Sequence, residues 1–133
     1  MIPTRVNTVV VGAGQAGLAM SAHLRDHQID HVVLERDSIA ERWRNARWDS
    51  LVMNGPAWHD RFPTRHFDSD PDGFPGKDEV TRYFEDFAKQ IEAPIHCGVE
   101  VTGTTALPQG GYQVETSQGH IHADHVVAAT GPF

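Results

Sequence analysis

A single cysteine, Cys97, stands in the 133 residues of the chain. Within them this excludes an internal disulfide and a redox-active Cys-x-x-Cys pair. With no motif around it, Cys97 reads as a small buried residue. Basic residues are scarce too: 11 Lys and Arg stand against 18 Asp and Glu, a net charge of −7. No basic run or stripe occurs, so nucleic acid is not an expected partner. No apolar run is long enough to cross a bilayer and no leader-like segment opens the chain. A soluble, cytoplasmic protein without membrane association is therefore expected. The length is that of one domain, and two dinucleotide-binding domains do not fit into it.

What the chain does have is concentrated near its start. Residues 9–17 read Val-Val-Val-Gly-Ala-Gly-Gln-Ala-Gly. The β-branched run in Arg5 to Val11 predicts a parallel strand buried on both faces. Gly12 then permits a tight turn, Gly14 lets a pyrophosphate approach the backbone, and Gly17 lets the next helix pack close to the sheet. That helix is predicted from about Gly14 to His27. Ala16, Met20 and Leu24 lie on one face, with Ala19 and Ala22 filling small gaps. Its free N–H groups and positive dipole end suit a phosphate. His31 to Glu35 reads as a second parallel strand. Glu35 at its carboxyl end can accept both hydroxyls of an adenosine ribose and repels a 2′-phosphate, which disfavours NADP in this site. The alternative, a chance glycine-rich turn, leaves the register of strand, helix and acid unexplained.

Residues 36–77 carry Trp43, Trp48, Trp58, Phe62, Phe67 and Phe74, with Pro56, Pro63, Pro71 and Pro75. Aromatics in this density argue against disorder. The segment reads as a partly helical start, Ser38 to Arg44, followed by an ordered loop that wraps a ligand, contributes a satellite core, or does both. An amphipathic helix follows from about Asp78 to Glu92, with Val80, Tyr83, Phe84, Phe87, Ala88 and Ile91 on its apolar face. Asp78 is a candidate cap and Pro94 prevents continuation. Ile95 to Cys97 suits a short parallel strand. Val99 to Thr105, Gly111 to Thr116 and Gly119 to His122 read as a three-stranded antiparallel meander, and His125 to Thr130 as a further continuous apolar strand.

A meander in place of a crossover helix, then a strand ending in Ala129-Thr130-Gly131, resembles the FAD-binding domain of flavoproteins with two dinucleotide sites. Glu41-Arg42-Trp43-Arg44, Trp48-Asp49-Ser50-Leu51, Asn54-Gly55-Pro56 and Phe74-Pro75 narrow this. Together they are similar to the flavin-containing monooxygenase family, in its bacterial and plant-type members rather than the Baeyer–Villiger enzymes. Those carry Trp-x-x-Asn-Arg-Tyr-Pro-Gly where this chain has Arg44-Asn45-Ala46-Arg47 after its tryptophan. The resemblance implies an α/β, Rossmann-like FAD-binding domain with a parallel sheet and an antiparallel meander. It also implies the family's chemistry: NADPH reduces FAD, and a flavin C4a-hydroperoxide oxygenates a small organic substrate. Carried over by motif, Gly12, Gly14, Gln15, Ala16 and Gly17 cradle the FAD pyrophosphate. Glu35 holds the adenosine ribose with Arg36 beside it, and Arg42 and Trp43 contact the flavin half. Val101 meets the adenine through its backbone, and Thr130 and Gly131 pass near the dinucleotide. Asn54 matches the family's asparagine at the reactive edge of the flavin, where an amide can donate and accept hydrogen bonds. Its plain alternative is a turn residue before Gly55-Pro56.

Other polar groups carry less. His120, His122 and His125 invite a metal, but no recognised ligand spacing completes them, and a solvated sheet edge is the expectation. His59-Asp60 is a weak acid–base candidate. Arg61, Arg65 and Lys77 could meet a phosphate but read as scattered surface cations. Complete members of the family are several hundred residues long. They add a second GxGxxG in an NADPH domain, a Phe-x-Gly-x-x-x-His motif and a late Gly-Asp segment, none of which occurs here. The chain is thus expected to be a fragment, a truncated product or one half of a split enzyme, with the NADPH domain supplied elsewhere. Two other readings stay open: a stand-alone FAD- or ADP-binding module without catalysis, and an NAD-binding domain that partners another oxidoreductase.

Overall fold

The computed structural model describes residues 1–131. In chain order the elements are β1 (Arg5–Val11), α1 (Gln15–Asp26), β2 (His31–Glu35), α2 (Glu41–Asn45), α3 (Lys77–Gln90), β3 (Ile95–Cys97), β4 (Val101–Ala106), β5 (Tyr112–Thr116) and β6 (Gly119–Ala128). They build a mixed α/β fold around a six-stranded sheet of order β3-β2-β1-β6-β5-β4. β1 lies parallel between β2 and β6, and β3 continues the parallel part beyond β2. β4 and β5 extend it antiparallel. The flanked position of β1 explains its β-branched run, in which Val9 and Val10 are fully buried.

One expectation changes here. The third meander strand and the final apolar strand are a single element, β6. Its first half pairs antiparallel with β5, from Thr116↔Gly119 to Tyr112↔Ala123. Its second half pairs parallel with β1, from Arg5↔His122 to Val11↔Ala128. His122 and Ala123 are paired on both sides, so the strand continues through Asp124 without a break. The sequence pattern alternates where one face is wet and becomes continuous where β6 runs beside β1, which imitates two strands. Val99, Val114, Ile121 and Ala123 of the meander region pack with Val9, Val32 and Leu34 of the parallel strands.

The helices cover the other side. The buried stripe of α1 is Gly17, Leu18, Ser21 and Leu24. Ala16 is exposed and Met20 half-buried, so the stripe is rotated from the predicted one. The rotation is possible because Ser21 is satisfied: its hydroxyl lies 2.8 Å from His31 Nε2, while His31 Nδ1 donates to the Ile29 carbonyl at 2.9 Å. α2 begins later than predicted, because Ala40 takes a left-handed conformation (φ 59°) before it. The apolar face of α3 is the expected one: Val80, Tyr83, Phe84, Phe87, Ala88 and Ile91 are all buried. Gly76, not Asp78, occupies its N-cap, and Asp78 and Glu79 sit in the first turn, where the helix dipole favours them. Cys97 is exposed, not buried, because β3 forms the sheet edge. Desolvation of its thiol and the nearby Glu35 carboxylate raise its pKa, which opposes thiolate formation.

The aromatic segment divides its side chains. Phe62 stacks on Phe87 at 3.9 Å and Phe67 on Tyr83 at 3.8 Å, so these two form a satellite core on α3. Trp48, Trp58 and Phe74 are 66%, 57% and 53% exposed and take no part in it. The arms of the loop are tied by Met53 N–H to the Pro75 carbonyl at 2.9 Å and Ala57 N–H to the Gly73 carbonyl at 2.8 Å.

Tyr83 anchors this arrangement. Its hydroxyl accepts from Phe62 N–H at 2.8 Å and donates to the Arg65 carbonyl at 2.6 Å. Tyr83→Phe leaves both backbone groups without that partner and is expected to cost about 1–3 kcal/mol in urea unfolding. Burial holds the Tyr83 phenol above its ordinary pKa. The unfolded chain therefore ionises first, and stability present below about pH 10 falls as pH rises above it. The phenylalanine variant should lose that component of the alkaline decline. An unchanged urea midpoint would remove the anchoring role.

Candidate functional site

The site is built where β1 ends. Gly12 adopts φ +111°, its N–H donates to the Leu34 carbonyl at 2.8 Å, and Ala129 N–H donates to the Val11 carbonyl at 2.8 Å. The ends of β1, β2 and β6 are thereby drawn together. A Cβ on Gly12 would stand 2.3 Å from the Ala129 carbonyl oxygen, and one on Gly17 would stand 1.8 Å from the Gly12 carbonyl oxygen. Both glycines are demanded by the protein's own packing. Gly14 differs, because a Cβ there would meet nothing within 4 Å. It is the N-cap of α1, with no side-chain cap and no acid in the first turn. The first N–H groups of α1 consequently have no intrahelical acceptor and open toward the space beside Gly14.

Glu35 closes the next side. Its carboxylate accepts Ala13 N–H at 3.0 Å through one oxygen and Asp37 N–H at 2.8 Å through the other. Val99 N–H donates to the Glu35 carbonyl at 3.0 Å and brings the head of the meander alongside. A groove of about 1050 Å³ results. Of the residues singled out from the sequence, Gly12, Gly14, Gln15, Ala16, Glu35, Arg36, Arg42, Trp43, Val101, Thr130 and Gly131 line it. Gly17 is buried behind the wall. Asn54 is exposed in the loop and is not part of the lining.

Sequence reading missed part of one wall. Ala40 N–H donates to the Ala13 carbonyl at 3.2 Å, so α2 starts beside the glycine turn. From there Glu41, Asn45, Ala46 and Arg47 join Arg42 and Trp43 in lining the groove, with Phe84 of α3 behind them. The i, i+4 spacing of Trp43 and Arg47 was the available signal, and Arg47 does lie 4.6 Å from the centre of the Trp43 ring. Hydrogen bonds from Ser38 and Asn45 hold the Glu41 carboxyl below its usual pKa.

The remaining polar candidates lie elsewhere. His120 Nε2 is 2.8 Å from Glu115 Oε2 on the meander. Among the described residues no group of His, Cys, Asp and Glu is arranged to hold a metal. His59 Nδ1 lies 2.7 Å from Asp60 Oδ1, while Asp60 Oδ2 accepts Gly55 N–H at 2.8 Å, so Asp60 braces the loop outside the groove. Arg61 donates to the carbonyls of Trp58, Phe62 and Pro63, Arg65 pairs with Asp86, and Lys77 pairs with Asp49. A second cavity, of about 470 Å³, lies between the end of α3 and β3. No described helix is long and apolar enough to cross a membrane.

Comparison with known proteins places this geometry. The profile of the pyridine nucleotide-disulphide oxidoreductase family matches residues 9–133. A CzcO-like uncharacterized oxidoreductase of Geobacillus kaustophilus is 40% identical over 129 residues, covering 96% of this chain and 36% of its own length. Indole-3-pyruvate monooxygenase YUCCA1 of rice (Oryza sativa subsp. japonica) is 32% identical over 126 residues, 92% of this chain and 31% of its own. A flavin-containing monooxygenase from Stenotrophomonas maltophilia superposes with a TM-score of 0.88 at 25% identity, over 96% of this chain and 39% of that one. The likeness to flavin-containing monooxygenases read from the motifs is thus borne out. The chain spans about a third of the length of these curated relatives.

Proposed function

The chain belongs to the pyridine nucleotide-disulphide oxidoreductase family, and from that premise we propose that its groove holds FAD, as the flavin-binding part of an NADPH-using monooxygenase-type oxidoreductase. The open side of Gly14 carries this reading. Gly12 and Gly17 are explained by contacts inside the protein, whereas the absent side chain of Gly14 is explained by nothing in it. A pyrophosphate accounts for that space: it needs close backbone approach, free N–H donors and a positive helix end, and all three meet there.

The rest of the groove fits the same ligand. Each Glu35 oxygen accepts one backbone N–H and keeps capacity for a ribose hydroxyl. Its charge disfavours a 2′-phosphate, so NADPH is assigned to a different site, on a further domain or a second chain. Val101 offers main chain at the meander head, Thr130 and Gly131 pass the glycine turn, and Arg42 and Trp43 face the flavin half. The role proposed for Asn54, hydrogen bonding at the reactive edge of the flavin, rests on the family resemblance alone, because Asn54 is not part of the groove lining. When bound, FAD would accept a hydride from NADPH and support oxygenation of a small organic substrate by dioxygen.

Titration of the purified chain with FAD and with ADP tests this. Both are expected to bind, and Glu35→Ala is expected to weaken both by about tenfold, the loss of one charge-assisted contact. Binding of ADP without FAD would favour the stand-alone nucleotide module. Binding of neither would overturn the dinucleotide reading.

A further inference from the structure

We infer that Arg47 supplies the positive charge on the α2 wall of the groove and acts on the flavin half of the bound dinucleotide, an inference that rests on the FAD reading above. The cations along the groove are not equivalent. Arg36, at the ribose end, pairs with Asp37 at 3.2 Å. Arg44 leaves the groove to pair with Glu85, and Arg42 has a partner. Arg47 lines the groove and makes no hydrogen bond or ion pair among the described residues. Its guanidinium lies over the Trp43 ring, 4.6 Å from guanidinium carbon to ring centre.

That contact orients the residue. Trp43 is itself packed against the core cluster that includes Leu18 and Phe84. Its ring is therefore a fixed platform, and a guanidinium stacked on it keeps its in-plane N–H donors free. The acid that α2 contributes to this wall, Glu41, is already engaged by Ser38 and Asn45. A preorganised cation without an anion has been left facing the groove.

Position along the groove decides what Arg47 meets. Glu35 and Val99, which leads into β4, mark the ribose end, and the uncapped start of α1 marks the pyrophosphate. α2 leaves the glycine turn at Ala40 and runs toward α3, so it walls the remainder. ADP ends at its phosphates, whereas FAD continues into that remainder with its isoalloxazine ring. The oxidised ring is neutral. Adding electrons places negative charge on it, which a fixed cation stabilises in a partly desolvated groove. Arg47 is thus expected to favour the reduced over the oxidised flavin and to leave ADP unaffected.

The test uses the whole chain loaded with FAD, reading ADP affinity, FAD affinity and the midpoint potential of the bound flavin. Arg47→Ala should leave ADP affinity unchanged and weaken FAD. It should also lower the preference for reduced flavin about tenfold, or about 30 mV for a two-electron couple. Arg47→Lys keeps the charge and should retain most of the potential. Arg5→Ala, which removes a cation paired with Asp124 away from the groove, should change none of the three. An unchanged potential in Arg47→Ala, or an equal shift in Arg5→Ala, would overturn the inference and leave the FAD reading standing. Failure of the unaltered chain to bind FAD would remove both.

Discussion

Gly14→Asp is expected to abolish binding of ADP and FAD while leaving the fold as stable as before. Gly14 has φ −90° and ψ −158°, a conformation open to any residue. A Cβ there touches nothing within 4 Å. The position is also the N-cap of α1, where aspartate is among the preferred residues and outperforms glycine by a few tenths of a kcal/mol. By every internal criterion the substitution is tolerated or mildly stabilising. For a phosphate it is the worst change available, because it fills the approach and places a carboxylate against the anion. A loss of about 100-fold or more in affinity is expected, with a thermal midpoint equal to or above that of the unaltered chain. Retained ADP binding would mean that the pyrophosphate does not lie beside Gly14.

Gly17→Ala should do the opposite. Helix propensity alone predicts a gain of about 1 kcal/mol, since alanine is the better helix former. The added Cβ would stand 1.8 Å from the Gly12 carbonyl oxygen, a main-chain atom fixed between strands. Relief requires α1 to move away from the sheet and lose the contacts of Leu18, whose side chain is fully buried. A net destabilisation of about 3 kcal/mol is expected, lowering the thermal midpoint by on the order of 10 °C. A variant as stable as its parent would show that the helix can shift at little cost and that Gly17 is not required by packing.

These glycines stand at equal standing in the motif, yet their roles differ in kind. The motif, read with its strand, helix and acid, was enough to expect a dinucleotide. Only the distances from each added Cβ separate the two glycines that the fold needs, Gly12 and Gly17, from Gly14, which the fold does not need. Glu35 behaved similarly. Its position at the end of β2 was legible, but its two bonds to the backbone of Ala13 and Asp37, which fix its orientation, were not.

Legibility elsewhere tracked the range of the interactions. The apolar face of α3 was read correctly because one core covers it, and its period of 3.6 states that directly. The face of α1 was read in part: Met20, Leu24, Ala19 and Ala22 do pack on the core, but its fully buried side also carries a serine, and the histidine that satisfies it belongs to β2. β6 was divided in two because its surroundings change along its length, while its backbone does not. Trp48, Trp58 and Phe74 look the same in sequence as Phe62 and Phe67. Only the second pair lies where α3 can receive it. Arg47 escaped notice because arginine is ordinary on a surface, and what sets it apart is the Trp43 ring beneath its guanidinium.

By itself the sequence determined the local elements, the glycine turn with its acid, and the family resemblance that the comparisons bore out. Those depend on backbone preference and periodicity, which neighbouring residues carry. The tertiary structure decided which glycine the internal packing leaves open, which aromatics are core, that β6 is continuous, and that α2 forms a wall of the groove. Each of these depends on contacts between residues far apart in the chain, such as Gly12 with Ala129 and Ala13 with Ala40. A pattern along the chain records that a face is apolar or a position is small. It does not record what lies opposite.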